Sequence, residues 1–368
     1  MPTREVDLLT DMLKLYSPSG EEANIAEYLA GELKKNKFEV TTDKIGNVIG
    51  TRGSGSPTLL LCGHMDTVPG EIEVKLEGDK LYGRGAVDAK APLASMIMGA
   101  SKIREPKGKI IVACLVDEEG QGKGVKQLIE DKIQTDYAIF GEPSRTWNVT
   151  IGYKGSLHLQ LKCKTLTGHS SAPWLSDNAI EKTFEIWKKI QEKHFKEENS
   201  ESRFYSITSC LTKISGGESS SMIPSECTTE IDMRTPPQLS PESIFSRLNE
   251  FINELNKESE DTQIELKCLG SVPAYESDKR SILVRSLTYA IRKCSEKAPT
   301  LLRKTGTGDM NELGATMNVP MVSYGPGDSH LDHTDEENIS VTEYQESIKV
   351  YQEAIPRLFH LHDNIKSK

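Results

Sequence analysis

Leu8, Leu9, Met12, Leu13 and Tyr16 recur at helical spacing and predict a helix over residues 5–16. A turn follows at Ser17-Pro18-Ser19-Gly20. Ser19 with Glu22 then makes an S-x-x-E capping-box signature for a second helix to about residue 33. Residues 38–42 and 47–51 read as strands around a turn at 44–46. Residues 58–62, 110–116 and 137–140 are short and nearly all apolar, as expected of strands covered on both faces. Residues 91–103 and 123–131 read as helices between them. Buried strands alternating with helices argue for an α/β layered domain.

The texture changes after about Tyr153. Residues 156–164 alternate like a half-exposed strand, and 177–195 form an amphipathic helix with Ile180, Phe184, Trp187 and Ile190 on one face. The polar run 197–202 reads as a solvated loop. Strands at 206–214, 226–234 and 264–269, with a second amphipathic helix at 241–255, complete a compact α+β unit. From Arg280 the α/β texture returns: a helix at 282–294, a buried strand at 319–324 and a last helix from Thr342. One domain is therefore expected inside another, an outer domain split between 1–153 and 271–368 with 154–270 inserted.

Charge narrows the partners. With 55 acidic against 45 basic residues the 368-residue chain carries −10, which disfavours nucleic acid as a main partner. Seven scattered cysteines, an odd number with no C-x-x-C pair, fit neither a disulfide framework nor a cysteine zinc knot. Buried reduced thiols in a cytoplasmic protein are expected instead. The start, MPTREVDLL, does not read as a signal peptide, and no membrane span is expected from apolar runs this short.

The candidate chemistry sits just after the apolar strands. Gly63-His64-Met65-Asp66 follows the first of them, and Asp66 could hold the His64 ring nitrogen that faces away from a metal. Gly83-Arg84-Gly85-Ala86-Val87-Asp88-Ala89-Lys90 precedes a helix. Asp117-Glu118-Glu119-Gly120 ends the most apolar strand, and Gly141-Glu142-Pro143 ends the next. His330-Leu331-Asp332-His333-Thr334 comes late in the chain. Taken singly each has a bland reading: a surface turn, a helix cap, a solvated acidic loop. Their repetition at strand ends is the stronger signal, because a parallel sheet gathers such ends on one edge. Histidine and carboxylate donors without sulfur suit zinc, cobalt or manganese.

The motifs GHMDTVP, GRGAVDAK, DEEG, GEP and DHT together resemble those of the co-catalytic zinc peptidase and deacylase family. Acetylornithine deacetylase, succinyl-diaminopimelate desuccinylase, carboxypeptidase-G-like enzymes and aminoacylases belong to it. The resemblance implies a mixed-sheet α/β catalytic domain with helices on both faces and an inserted α+β lid and dimerisation domain. It implies two zinc ions per chain, with cobalt or manganese as substitutes, bridged by Asp88. His64 and Glu142 would complete one position, Glu119 and His333 the other. His330 competes with His333, but the D-H-T context favours the latter. Glu118 would be the general base and Asp66 the partner of His64. His169 would reach a substrate carbonyl, often in the partner subunit's site, and Arg234 would grip a substrate carboxylate. Ser221 departs from the family pattern, standing where Asn is frequent, and so does Ala91, where Gly is frequent.

Residues 304–311 (KTGTGDMN) and 324–334 (YGPGDSHLDHT) are most similar to hydrolases that release lysine or ornithine from the glutamyl terminus of an acidic amino-group carrier protein. Amide hydrolysis in lysine and arginine biosynthesis is the leading expectation. A small-molecule deacylase or an exopeptidase of the same family is the alternative, and a catalytically silent binding protein is the alternative of another class. An acidic carrier would need a basic patch on this acidic enzyme, and Lys123, Lys126, Arg145, Lys154, Arg303 and Lys304 are the candidates.

Overall fold

The computed structural model describes residues 3–194, 202–259 and 261–366. The end of the helix expected at 177–195 and all but the last residue of the run 197–202 fall outside the described residues. The chain divides into two units: Met1–Gly152 with Ser277–Arg303 and Gly308–Lys368, and Tyr153–Glu276 with Lys304–Thr307.

The first unit is built on a mixed sheet. Its strands lie in the order Glu39–Thr42, Val48–Gly53, Lys109–Leu115, Thr58–His64, Tyr137–Phe140, Met321–Ser323, Asn148–Tyr153. The four from Lys109–Leu115 to Met321–Ser323 are mutually parallel, and their carboxyl ends share one edge. Leu59, Leu61, Ile110, Val112 and Ile139 join Leu93, Met96 and Ile97 of the helix Lys90–Ser101 and Tyr351 and Ile355 of the helix Val341–Lys366 in one core. The helix Lys90–Ser101 is apolar all round and buried almost throughout, so it serves as core. A small antiparallel sheet pairs Asn338–Ser340 with Lys80–Tyr82, and that strand with Lys75–Glu77.

The second unit is a four-stranded antiparallel sheet ordered Thr208–Gly216, Glu226–Thr235, Gly155–Lys164, Gln263–Val272. Gly155–Lys164 and Glu226–Thr235 alternate between buried and more exposed positions, so one face is core. Leu157, Leu159, Leu161, Ile231 and Met233 pack there with Ile186, Trp187 and Ile190 of the helix Ala179–His194 and Ile244, Leu248 and Phe251 of the helix Pro241–Glu258.

Several local expectations change. Phe184 points outward at 49% exposure, its place on the buried face being taken by Thr183 and Ile186. The Ser19–Glu22 capping box does not form. The helix begins at Ala23, Ser19 donates its hydroxyl to Asp66, and Glu22 accepts from the Gly20 and Asp117 N–H groups. A capping serine accepts from a helix N–H, whereas here the hydroxyl donates to a buried carboxylate in a stronger, charge-assisted bond, so the tertiary bond wins. The seven cysteines are free as expected, but Cys210 and Cys268 are exposed rather than buried. Among the described residues no helix is long and apolar enough to cross a membrane.

Three of the six residues expected in a basic patch are already engaged within the chain. Lys154 is fully buried and donates to the carbonyls of Arg203 and Ser206 and to the Thr208 hydroxyl, with burial pushing its pKa down to about 8. Arg145 is bound to Asp328 and Glu343, and Lys123 lies 3.4 Å from Asp117. Charges held in this way are poor steering groups.

Candidate metal centre

Strand register brings the motifs level. His64 pairs with Leu115, two residues before Asp117, and Cys62 pairs with Phe140, two residues before Glu142. The parallel strands therefore deliver His64, Glu118, Glu119 and Glu142 to one edge. Among the described residues three sets of donors have ligand atoms within 4.8 Å of one another: His64, Asp88 and Glu142; Asp88, Glu119 and His333; and His64, Glu118 and Glu119. Asp88 lies between the histidines, with one oxygen 3.1 Å from His64 Nε2 and the other 3.3 Å from His333 Nε2. His333 Nε2 is also 2.8 Å from Glu119. His330 belongs to none of these sets: it is 93% exposed and bonded to Asp328.

Asp66 ties two loops together. Its carboxylate accepts from the backbone N–H of both Glu118 and Glu119 at 3.1 Å and from the Ser19 hydroxyl at 2.7 Å. His64 Nδ1 lies 3.0 Å from the Asp66 carbonyl oxygen and 3.4 Å from its carboxylate. That contact fixes the ring and leaves Nε2 facing Asp88. The three consecutive carboxylates are divided by role. Asp117 turns back to accept from the Gln121 and Lys123 N–H groups, whereas Glu118 and Glu119 face the cluster. Asp117 and His333 both have positive φ, 61° and 62°, a strained conformation for residues with side chains and one that concentrates at functional sites.

The electrostatics fit a cation-binding cluster. Burial pushes Glu118 well above the usual carboxylate range, with Asp309, Glu142 and Asp88 adding like charge and His64 pulling the other way. Glu119 is raised by burial and by Asp88. Asp88 is held low by the two histidines against the effect of burial. His333 is pushed up to about 9, first by its bond to Asp88 and then by Glu119, despite desolvation. Two imidazoles and four carboxylates at this density carry a negative excess that divalent cations offset, and the donors are of the nitrogen and oxygen type that zinc accepts.

Asp309 lies within the motif 304–311, but nothing in the sequence alone marks it as part of the site. It starts the helix Asp309–Thr316, is 7% exposed, and is raised to about 7 by burial. Only its nearness to Glu118 in the fold marks it. Two other expected residues lie in the second unit. His169 is exposed, and its Nδ1 accepts from the Ser171 N–H. Arg234 donates to Asp232 and to the Thr307 hydroxyl.

A family model described as peptidase family M20/M25/M40 matches residues 60–357. A Pyrococcus furiosus protein, provisionally named as a LysW-lysine/LysW-ornithine hydrolase, is 39% identical over 354 residues, 96% of this chain and 97% of its own. The LysW-lysine/LysW-ornithine hydrolase of Sulfurisphaera tokodaii is 35% identical over 353 residues, 96% of this chain and 95% of its own. The crystal structure of aminopeptidase PepT from Bacillus cereus shares the fold, with a TM-score of 0.82 at 21% identity over 96% of this chain and 98% of that one. A family match over residues 60–357, carried on strand ends that converge on one carboxylate and histidine cluster, means that this chain belongs to peptidase family M20/M25/M40.

Proposed function

We propose that this hydrolase cleaves the amide joining lysine or ornithine to the glutamyl terminus of a LysW-type carrier protein, using two zinc ions. The observation that carries the reading is the full-length similarity to proteins bearing that activity in their names, 35% and 39% identical over 96% of the chain. His64, Asp88 and Glu142 would hold one ion and Asp88, Glu119 and His333 the other. When bound, a pair of ions supplies Lewis acidity and lowers the pKa of a shared water. Glu118 takes a proton from the attacking water and delivers it to the departing amine. Its raised pKa suits a group that must both accept and return that proton. Asp66 holds the His64 ring and the Glu118 backbone in place throughout.

In the same proposal His169 donates to the substrate carbonyl oxygen and Arg234 binds a substrate carboxylate. Nδ1 of His169 is occupied as an acceptor, so the proton of the neutral ring sits on Nε2, the donor that role needs. The chain acts as a homodimer through its inserted domain, whose edge strand Thr208–Gly216 is largely exposed. If His169 serves the partner's site, mixing inactive His169→Ala with inactive Glu118→Ala protein restores part of the activity through mixed dimers. No recovery despite demonstrated subunit exchange rules out the shared site.

The substrate reading is checked by kcat/KM on carrier-linked lysine and ornithine against the N-acetylated amino acids. The carrier-linked substrates are expected to be favoured at least tenfold, about 1.4 kcal/mol of transition-state binding from contacts beyond the scissile amide. Equal values for both substrates return the chain to the small-molecule deacylases.

A further inference from the structure

Glu337 lies four residues beyond His333 and belongs to none of the candidate ligand sets. It is 1% exposed. One carboxylate oxygen accepts from the N–H groups of Val87 at 2.8 Å and Asp88 at 3.0 Å. The other accepts from the Gly85 N–H at 3.0 Å and from the Arg84 guanidinium at 3.0 Å. Four donors thus converge on one buried side chain, and three of them are backbone groups of the loop that ends in Asp88. The Ala86 and Lys90 N–H groups bond to carbonyls within the loop, but those of Gly85, Val87 and Asp88 take their acceptor from Glu337. Pairing of Asn338 with Tyr82 in the small sheet brings the acceptor there, because it sets Glu337 beside Gly83. Gly85 permits the approach: its φ is +82°, and a Cβ there would stand 2.8 Å from Thr67.

Arg84 extends the network. Besides Glu337, its guanidinium donates to the Gly70 carbonyl at 2.8 Å and the Thr334 carbonyl at 2.9 Å. One buried ion pair therefore joins three segments: the loop after His64 and Asp66, the loop of Asp88, and the loop of His333. Asp88 is the group that both histidines approach, so a small displacement of its loop disturbs both candidate metal positions at once.

We propose that Glu337 is a positioning residue that sets the backbone of Asp88, and with Arg84 its distance from His333. The proposal rests on the reading of Asp88 as the bridging ligand. Glu337→Gln keeps the shape but turns an amide NH₂ group toward N–H donors, so one oxygen's worth of acceptor is lost. The test is zinc affinity of the metal-free protein, measured by competition with a chromophoric chelator under conditions where circular dichroism shows the variant folded. Affinity is expected to fall about 10–100-fold, the usual effect of removing a group that orients a ligand. Excess zinc is expected to recover part of kcat. A purely structural role predicts a lower melting temperature with wild-type zinc affinity in the folded protein, and that result overturns the proposal. If Glu337→Gln does not fold, Arg84→Lys decides: it keeps the charge opposite Glu337 but loses the Gly70 and Thr334 contacts. Wild-type affinity in that variant overturns the proposal equally. Wild-type protein that binds no zinc defeats the two-metal reading and this inference with it, whereas normal wild-type binding with an unaffected variant defeats this inference alone.

Discussion

Glu118→Gln is expected to retain its metal and to lose about 10²–10⁴-fold in kcat, the range attributed to a positioned general base. The side chain reaches the cluster beside Glu119 and His64, yet Glu119, not Glu118, is the one that also groups with Asp88 and His333. Glutamine fills the same space, takes no proton, and relieves part of the negative crowding from Asp309, Glu142 and Asp88. Metal content should therefore hold or rise while turnover collapses. Elemental analysis alongside steady-state kinetics checks both. Wild-type kcat in the variant removes Glu118 from the base role, and loss of metal in step with activity makes it a ligand instead.

Chelation is expected to abolish turnover, and stepwise return of zinc to restore it at about two equivalents per chain, as a site with two metal ions requires. Full activity at one equivalent overturns the bridged reading of Asp88. Proton release gives the sign of the pH dependence. A ligand histidine must lose its proton to bind, and His333 in the metal-free cluster keeps its proton up to about pH 9 because of Asp88 and Glu119. Zinc affinity is therefore expected to increase as pH rises from 6 towards 9, and calorimetry in buffers of different ionisation enthalpy should register the released proton. Affinity independent of pH over that interval contradicts a protonated His333.

Much of the site could be read along the chain because the fold presents it in strand order. Residues 58–62, 110–116 and 137–140 are apolar enough to be recognised as buried strands, and each hands its next polar residues to the same edge. His64, Glu119 and Glu142 stand within a few residues of those strand ends, so their convergence follows from parallel pairing alone. His333 is different. It follows Met321–Ser323 by ten residues, and only the motif resemblance preferred it to His330. In the structure His333 meets Asp88 and Glu119, whereas His330 pairs with Asp328 at the surface.

Local sequence, then, determined the elements: periodicity and apolar runs are properties of neighbouring residues and survive any later packing. It also pointed to the candidate ligand types, since His, Asp and Glu recur just after the strand ends. Tertiary structure decided how polar groups were spent. Ser19 and Glu22 carry a helix-capping pattern, but their bonds go to Asp66 and the Asp117 N–H. Asp117 looks equivalent to Glu118 and Glu119, yet it serves its own loop. Lys154 looks available for a partner and is buried among carbonyls. Glu337 looks like one more acid in an acidic stretch and holds the loop of Asp88. Hydrogen-bond partners more than 40 residues apart in sequence are fixed by which surfaces meet when strands pair and helices pack, and a buried donor or acceptor must take the partner found there.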